Sequence, residues 1–117
     1  MFSGLLTEGV HKRGLSLERL AQITSENAAR IMGLYPKKGS LLPGFDADIA
    51  IVDMNEEWIF DGTKSFSKSK SDKNIYHGMH MKGRVKETWV RGNLIYRNGE
   101  IIGQSGCGCF VPKQKQR

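Results

Sequence analysis

A chain of 117 residues with 38% apolar and 26% charged side chains has the composition of one modest domain or part of a larger one, not of a disordered segment. No apolar run approaches the roughly 20 residues that span a bilayer, and Met1-Phe2-Ser3-Gly4-Leu5-Leu6 lacks the charged start and long apolar stretch of a secretory signal, so cytoplasmic residence is expected. The net charge of +6 is concentrated at Lys64, Lys68, Lys70 and Lys73 and at Lys113, Lys115 and Arg117, which read as solvated loop and tail charges; only Phe66 is placed to stack a base, which argues against nucleic acid as a partner.

The first third has helical periodicity. Phe2, Leu5, Leu6 and Val10 leave a short amphipathic trace that ends at Gly14. Ser16 can cap a second helix, with Leu17, Leu20 and Ile23 on one face. Thr24 or Ser25 is expected to cap a third, carrying Ala28, Ile31 and Met32 and stopped by Gly33 in the left-handed conformation.

From Tyr35 the period changes. Gly39 and Pro43-Gly44 mark turns, the second in the order favoured by type II. Ala47 to Asp53 is a β-branched run expected to form a strand, and Trp58-Ile59-Phe60 forms a second extended candidate. Residues 62–78 are polar, rich in lysine and serine, and predict a long surface loop. Beyond it, Val85 to Arg91 and Leu94 to Arg97 are strands about a Gly92-Asn93 turn, and Asn98-Gly99 is a hairpin signal leading into Glu100-Ile101-Ile102.

The predicted class is therefore α+β, helices first and an antiparallel sheet after. Such a sheet can cover only part of the helices' apolar faces, so an exposed apolar surface or an absent partner is expected.

These residues also carry a family resemblance. Lys12-Arg13-Gly14-Leu15-Ser16-Leu17 and Ser25-Glu26-Asn27-Ala28-Ala29-Arg30-Ile31-Met32-Gly33-Leu34 resemble the last helices of a cyclic amidohydrolase barrel. Lys38-Gly39, Pro43-Gly44 and Asp46-Ala47-Asp48 resemble the family's signature at the return from the barrel to a small β-sandwich, and Gly83-Arg84-Val85, Thr88, Val90-Arg91-Gly92 and Tyr96 its closing strands. The resemblance implies residues 1–34 as the C-terminal helices of a TIM-type (β/α)8 barrel, 35–106 as antiparallel sandwich strands with the loop at 62–78, and 107–117 as a flexible tail.

Trp58 after a strand ending in Asp53, and the lysine-rich loop running to Tyr76 and Gly78, resemble the allantoinase branch, although Ile75 stands where that branch commonly has proline. The tail from Gly103 to Phe110 is similar to dihydropyrimidinases and hydantoinases, and dihydroorotase is a further relative. The implied parent is a hydrolase of C–N bonds in cyclic amides, foremost allantoin to allantoate in purine catabolism. It would use a binuclear divalent metal centre, zinc or similar, with a carboxylated lysine, and would assemble as a homo-oligomer, commonly a tetramer. The implied ligands lie upstream of the matched helices, so no catalytic, cofactor-binding or metal residue is carried onto this sequence. Its partner would be the remainder of the parent chain.

His77-Gly78-Met79-His80 has a spacing metals use, but a site would need His11 or the cysteines as well, and exposed loop histidines are the simpler reading. Cys107 and Cys109 are too few and too close for a disulfide framework and read as reduced thiols. Asp46 and Asp48 resemble an acid/base pair, yet at this position they are expected to shape the start of a strand and accept backbone hydrogen bonds. A stand-alone β-sandwich binding or assembly module is the alternative of another class; it predicts a closed core without an exposed apolar helix face.

Overall fold

The computed structural model describes residues 1–114, so the last residues of the predicted tail, Lys115 and Arg117 among them, lie outside the described residues. The first helical run occupies residues 2–13, regular over Phe2–Gly4 and widened to π-type turns over Leu5–His11. The second occupies residues 17–31. Ser16 caps it as expected, its hydroxyl oxygen accepting the Arg19 N–H at 3.2 Å. The predicted break at Thr24 or Ser25 is absent. Thr24 donates its hydroxyl back to the Leu20 carbonyl at 2.7 Å instead of capping, and the helix continues through a widened turn, Gln22–Glu26, to Ile31. Gly33 terminates it at φ +71°, with the Leu34 N–H returning to the Ala29 carbonyl at 2.7 Å.

Among the described residues four strands follow: β1 (Ile49–Ile59), β2 (His80–Val90), β3 (Asn93–Arg97) and β4 (Glu100–Ile101), ordered β1-β2-β3-β4 in one sheet. The two extended segments expected on either side of Asn55-Glu56-Glu57 are one strand. The strand runs through this polar stretch, where the Asp53 carboxylate accepts the Asn55 and Glu56 amides at 2.9 and 3.1 Å. The β2–β3 turn is Arg91-Gly92, one residue earlier than expected. Arg91 (φ +48°) and Gly92 (φ +76°) both have positive φ, as do Asn98 and Gly99 in the next hairpin, the geometry of tight primed turns. Pairing of Thr88 with Tyr96 and of Trp89 with Leu94 leaves Ile95 as a bulge in β3.

Chain contacts define two compact units, Met1–Gly14 with Asp53–Arg84, and Leu15–Val52 with the stretch from Val85 onward. In the first, Leu6, Met81 and Thr7 are buried. Thr7 satisfies its hydroxyl twice, donating to the Ser3 carbonyl at 2.8 Å and accepting the Lys82 N–H at 2.9 Å, so a buried polar group costs little there. Trp58 donates its indole N–H to the Gly83 carbonyl at 3.2 Å, beneath the Arg84 guanidinium 4.8 Å from its ring.

In the second unit Leu20 and Ala29 are the buried apolar side chains, while Ile31 (83%), Leu41 (69%) and Met32 (59%) remain exposed. Neither set amounts to a contiguous core of the kind a self-sufficient domain encloses. Several large apolar side chains of this unit are therefore exposed one by one. Among the described residues no helix is long and apolar enough to cross a membrane.

Candidate functional site

The densest charged cluster is centred on Lys38. The turn Leu42-Pro43-Gly44-Phe45 closes with the Phe45 N–H on the Leu42 carbonyl at 3.1 Å and Gly44 at φ +94°, the type II geometry expected from Pro-Gly. This reversal brings Asp46 and Asp48 back onto Lys38, and the Asp46 N–H donates to the Lys37 carbonyl at 2.9 Å. The ammonium pairs with Asp46 Oδ2 at 2.8 Å and with Asp48 Oδ2. Asp46 Oδ2 is buried and has no well-directed hydrogen bond, so the attraction there is chiefly that of opposite charges in a poorly solvated place. Asp48 turns its other oxygen to the Arg91 N–H at 2.9 Å, and the Gly92 N–H reaches the Ala47 carbonyl at 3.0 Å. The β2–β3 turn is thus fastened to the residues that lead into β1.

The charges are locked rather than poised for proton transfer. The close approach of Lys38, foremost, then the charges of Lys37 and Arg91, hold the Asp46 carboxyl below its ordinary pKa of 3.8 against the opposing effect of burial. Burial works to lower the Lys38 pKa, but the close carboxylates of Asp46 and Asp48 outweigh it and raise the ammonium above its ordinary 10.5. Asp46 therefore stays ionised and Lys38 protonated at neutral pH. The arrangement is a structural clamp, consistent with the reading of Asp46 and Asp48 as shaping residues; the sequence did not reveal that Lys38 joins both.

A pH prediction follows from the sign of these shifts. A carboxyl depressed in the folded state lends stability above its unfolded value, and that contribution fades as pH falls through the depressed one. Asp46, Asp61 and Glu87 all lie below their ordinary 3.8, 3.8 and 4.5, Glu87 through the Trp89 N–H first and Arg97 second. Melting temperature is expected to be level near neutrality and to drop below about pH 4. Asp46→Asn should lower the plateau and flatten the acid limb; an unchanged limb would show that the clamp carries no weight.

The histidines are not gathered. His77 accepts the Gly62 N–H on Nδ1 at 3.1 Å, which fixes the Nε2–H tautomer and pins the start of the long loop; Asp61 Oδ1, at 3.6 Å, is beyond hydrogen-bond reach. Asp61 instead receives the Thr63 hydroxyl at 2.6 Å and amide at 3.0 Å, and its carboxyl is held low by those bonds. His80 is the exposed first residue of β2 and His11 an exposed residue at the end of the π-type turns. Cys107 and Cys109 are free and exposed, and the Cys107 carbonyl accepts from Arg91 Nη2 at 2.7 Å. Among the described residues no three His, Cys, Asp or Glu side chains converge in a way that could hold a metal ion. The metal centre implied by the resemblance does not fit these side chains, and no chemical step is assigned to them through it.

Comparison with known proteins supplies the class. Residues 2–101 match the profile of the amidohydrolase family. Over 110 residues the chain is 37% identical to the L-hydantoinase of Paenarthrobacter aurescens, covering 94% of this chain and 24% of that one. It is 37% identical over 101 residues to an allantoinase of Desulfitobacterium hafniense, covering 86% of this chain and 22% of the relative. The crystal structure of a dihydropyrimidinase from Brevibacillus agri superposes with a TM-score of 0.84 at 32% identity, over 94% of this chain and 23% of that chain. The chain belongs to the amidohydrolase family, in its cyclic-amide branch. It spans about a quarter of the length of these relatives.

Proposed function

We propose that the chain is the C-terminal structural portion of a cyclic-amide hydrolase that opens a hydantoin-type ring. Hydantoinases and allantoinases, by their names, act on substrates that share this five-membered cyclic ureide, and both kinds are similar to nearly the whole chain. The allantoinase-like signature around Trp58 and Tyr76 favours allantoin as the substrate, with allantoate as the product.

In this reading residues 1–34 close the wall of a (β/α)8 barrel, residues 35–106 add strands to a small sandwich, and 107–117 form its tail. A pair of divalent metals, zinc or similar, with a carboxylated lysine would belong to the remainder of the protein, a cytoplasmic homotetramer. The observation that carries the reading is the coupling of a family match over nearly the whole chain to units that bury so little apolar surface of their own.

The test is a ring-opening assay with allantoin, hydantoin and dihydrouracil, supplemented with zinc, manganese or cobalt. The 117-residue chain is expected to give no turnover above the uncatalysed rate. Joined to the coding sequence read upstream of Met1, which should supply a His-x-His pair, it is expected to open allantoin faster than the other two rings. Robust turnover by the chain alone would overturn the scaffold role, and preference of the joined protein for dihydrouracil would overturn the substrate.

A further inference from the structure

The loop after β1 carries a feature that the ring-opening reading does not use. Residues 63–70 wrap a concavity of about 460 Å³, within the size range of small-molecule sites. Its walls include the exposed ring of Phe66, and Lys64, Lys68 and Lys70 also line it. We propose that this concavity binds a small organic phosphate: a planar apolar body against Phe66 and the lysine methylenes, with the phosphate among the ammonium groups.

The polar lining favours an anion by its donor count. Ser65 Oγ accepts the Ser67 N–H at 3.3 Å and Ser67 Oγ accepts the Ser69 N–H at 3.1 Å, so each hydroxyl still has a hydrogen to donate. Among the described residues no carboxylate lines the concavity. The acids nearby are occupied elsewhere. Asp61 takes the Thr63 hydroxyl and a loose ion pair with Lys64 at 3.7 Å, and Asp72 accepts from Ser71 at 3.3 Å. Among the described residues Lys68 and Lys70 have no ion-pair partner, so both lining cations can serve an incoming anion.

The loop is also held at its base rather than free along its length. The Gly62 carbonyl accepts the Ser65 and Ser71 amides at 3.4 and 3.2 Å, while the Gly62 N–H goes to His77. Those bonds keep the backbone at the two ends of the lysine run together, which limits what the loop must order when a ligand binds.

The probe is adenosine 5′-monophosphate, titrated into the full chain at low ionic strength and followed by amide chemical shifts. Shifts are expected to map to residues 63–70, with adenosine and inorganic phosphate each binding at least tenfold more weakly than the ester. The double variant Lys68→Ala/Lys70→Ala should weaken the ester at least tenfold, and Lys64→Ala, whose cation already has a loose partner in Asp61, less. Equal affinity for adenosine and its monophosphate, shifts dispersed over other surfaces, or an unchanged affinity in the double variant would each overturn the site. A control spectrum showing the other amides of the double variant unmoved ties any loss to the lysines. None of these outcomes bears on ring opening.

Discussion

Gly39→Ala is expected to lower the stability of its unit by ~3 kcal/mol, the sum of two separable penalties. Gly39 sits at φ +96°, a conformation that side-chain-bearing residues avoid. An added Cβ would also lie 2.6 Å from Ala29 Cβ, 3.1 Å from the Ser25 carbonyl oxygen and 3.2 Å from Glu26 Cα. The lysine-bearing segment is thus laid directly on the backbone of the second helix where that helix widens. Ala29 is itself buried, so neither partner has room to retreat. Gly44→Ala is the control. It has the same sign of φ, +94°, but open space around the Cβ, and should lose only about 1 kcal/mol. Urea denaturation in a Trp58→Phe background, so that Trp89 alone reports on this unit, measures both. Equal losses for the two glycines would refute the packing argument.

Leu6→Ala is expected to destabilise the other unit by a similar amount, ~3 kcal/mol, from the middle of the range for emptying a leucine site. Leu6 is 1% exposed and packs over the backbone of Gly83, where an added Cβ would lie 3.0 Å from Leu6 Cδ1. Together with Met81 it supplies the buried apolar side chains of that unit, so little else is present to move into the vacated volume. Trp58 fluorescence in a Trp89→Phe background follows it. Leu6→Met, which conserves volume, should lose less than half as much. A Leu6→Ala loss below about 1 kcal/mol would mean that this unit is not held by its few buried groups.

What the sequence disclosed was what neighbouring residues decide among themselves. Ser16 caps because its own oxygen reaches an amide three residues on, and Pro43-Gly44 and Asn98-Gly99 turn because their backbone preferences are intrinsic. Errors arose where a side chain had two local options. Thr24 can cap or bond backward to a carbonyl, and it bonds backward. Asn55-Glu56 can break a strand or continue it, and β1 continues through them with the Asp53 carboxylate on both amides. The clamp was only half legible. Lys38, Asp46 and Asp48 appeared as a motif, but the Arg91 amide that Asp48 accepts comes from 43 positions further along, and no local pattern announces a contact over that separation. The Gly62 to His77 bond escaped for the same reason.

The unequal lengths of the outer strands have a consequence for handling the purified chain. β4, only two residues long, offers almost no backbone for another polypeptide to align with. β1 lies at the opposite margin, eleven residues long, with Ile51 and Ile59 open to solvent. Intermolecular strand addition, and with it concentration-dependent precipitation, should therefore start from one flank of the sheet, and a lysine at Ile51 is the economical way to discourage it.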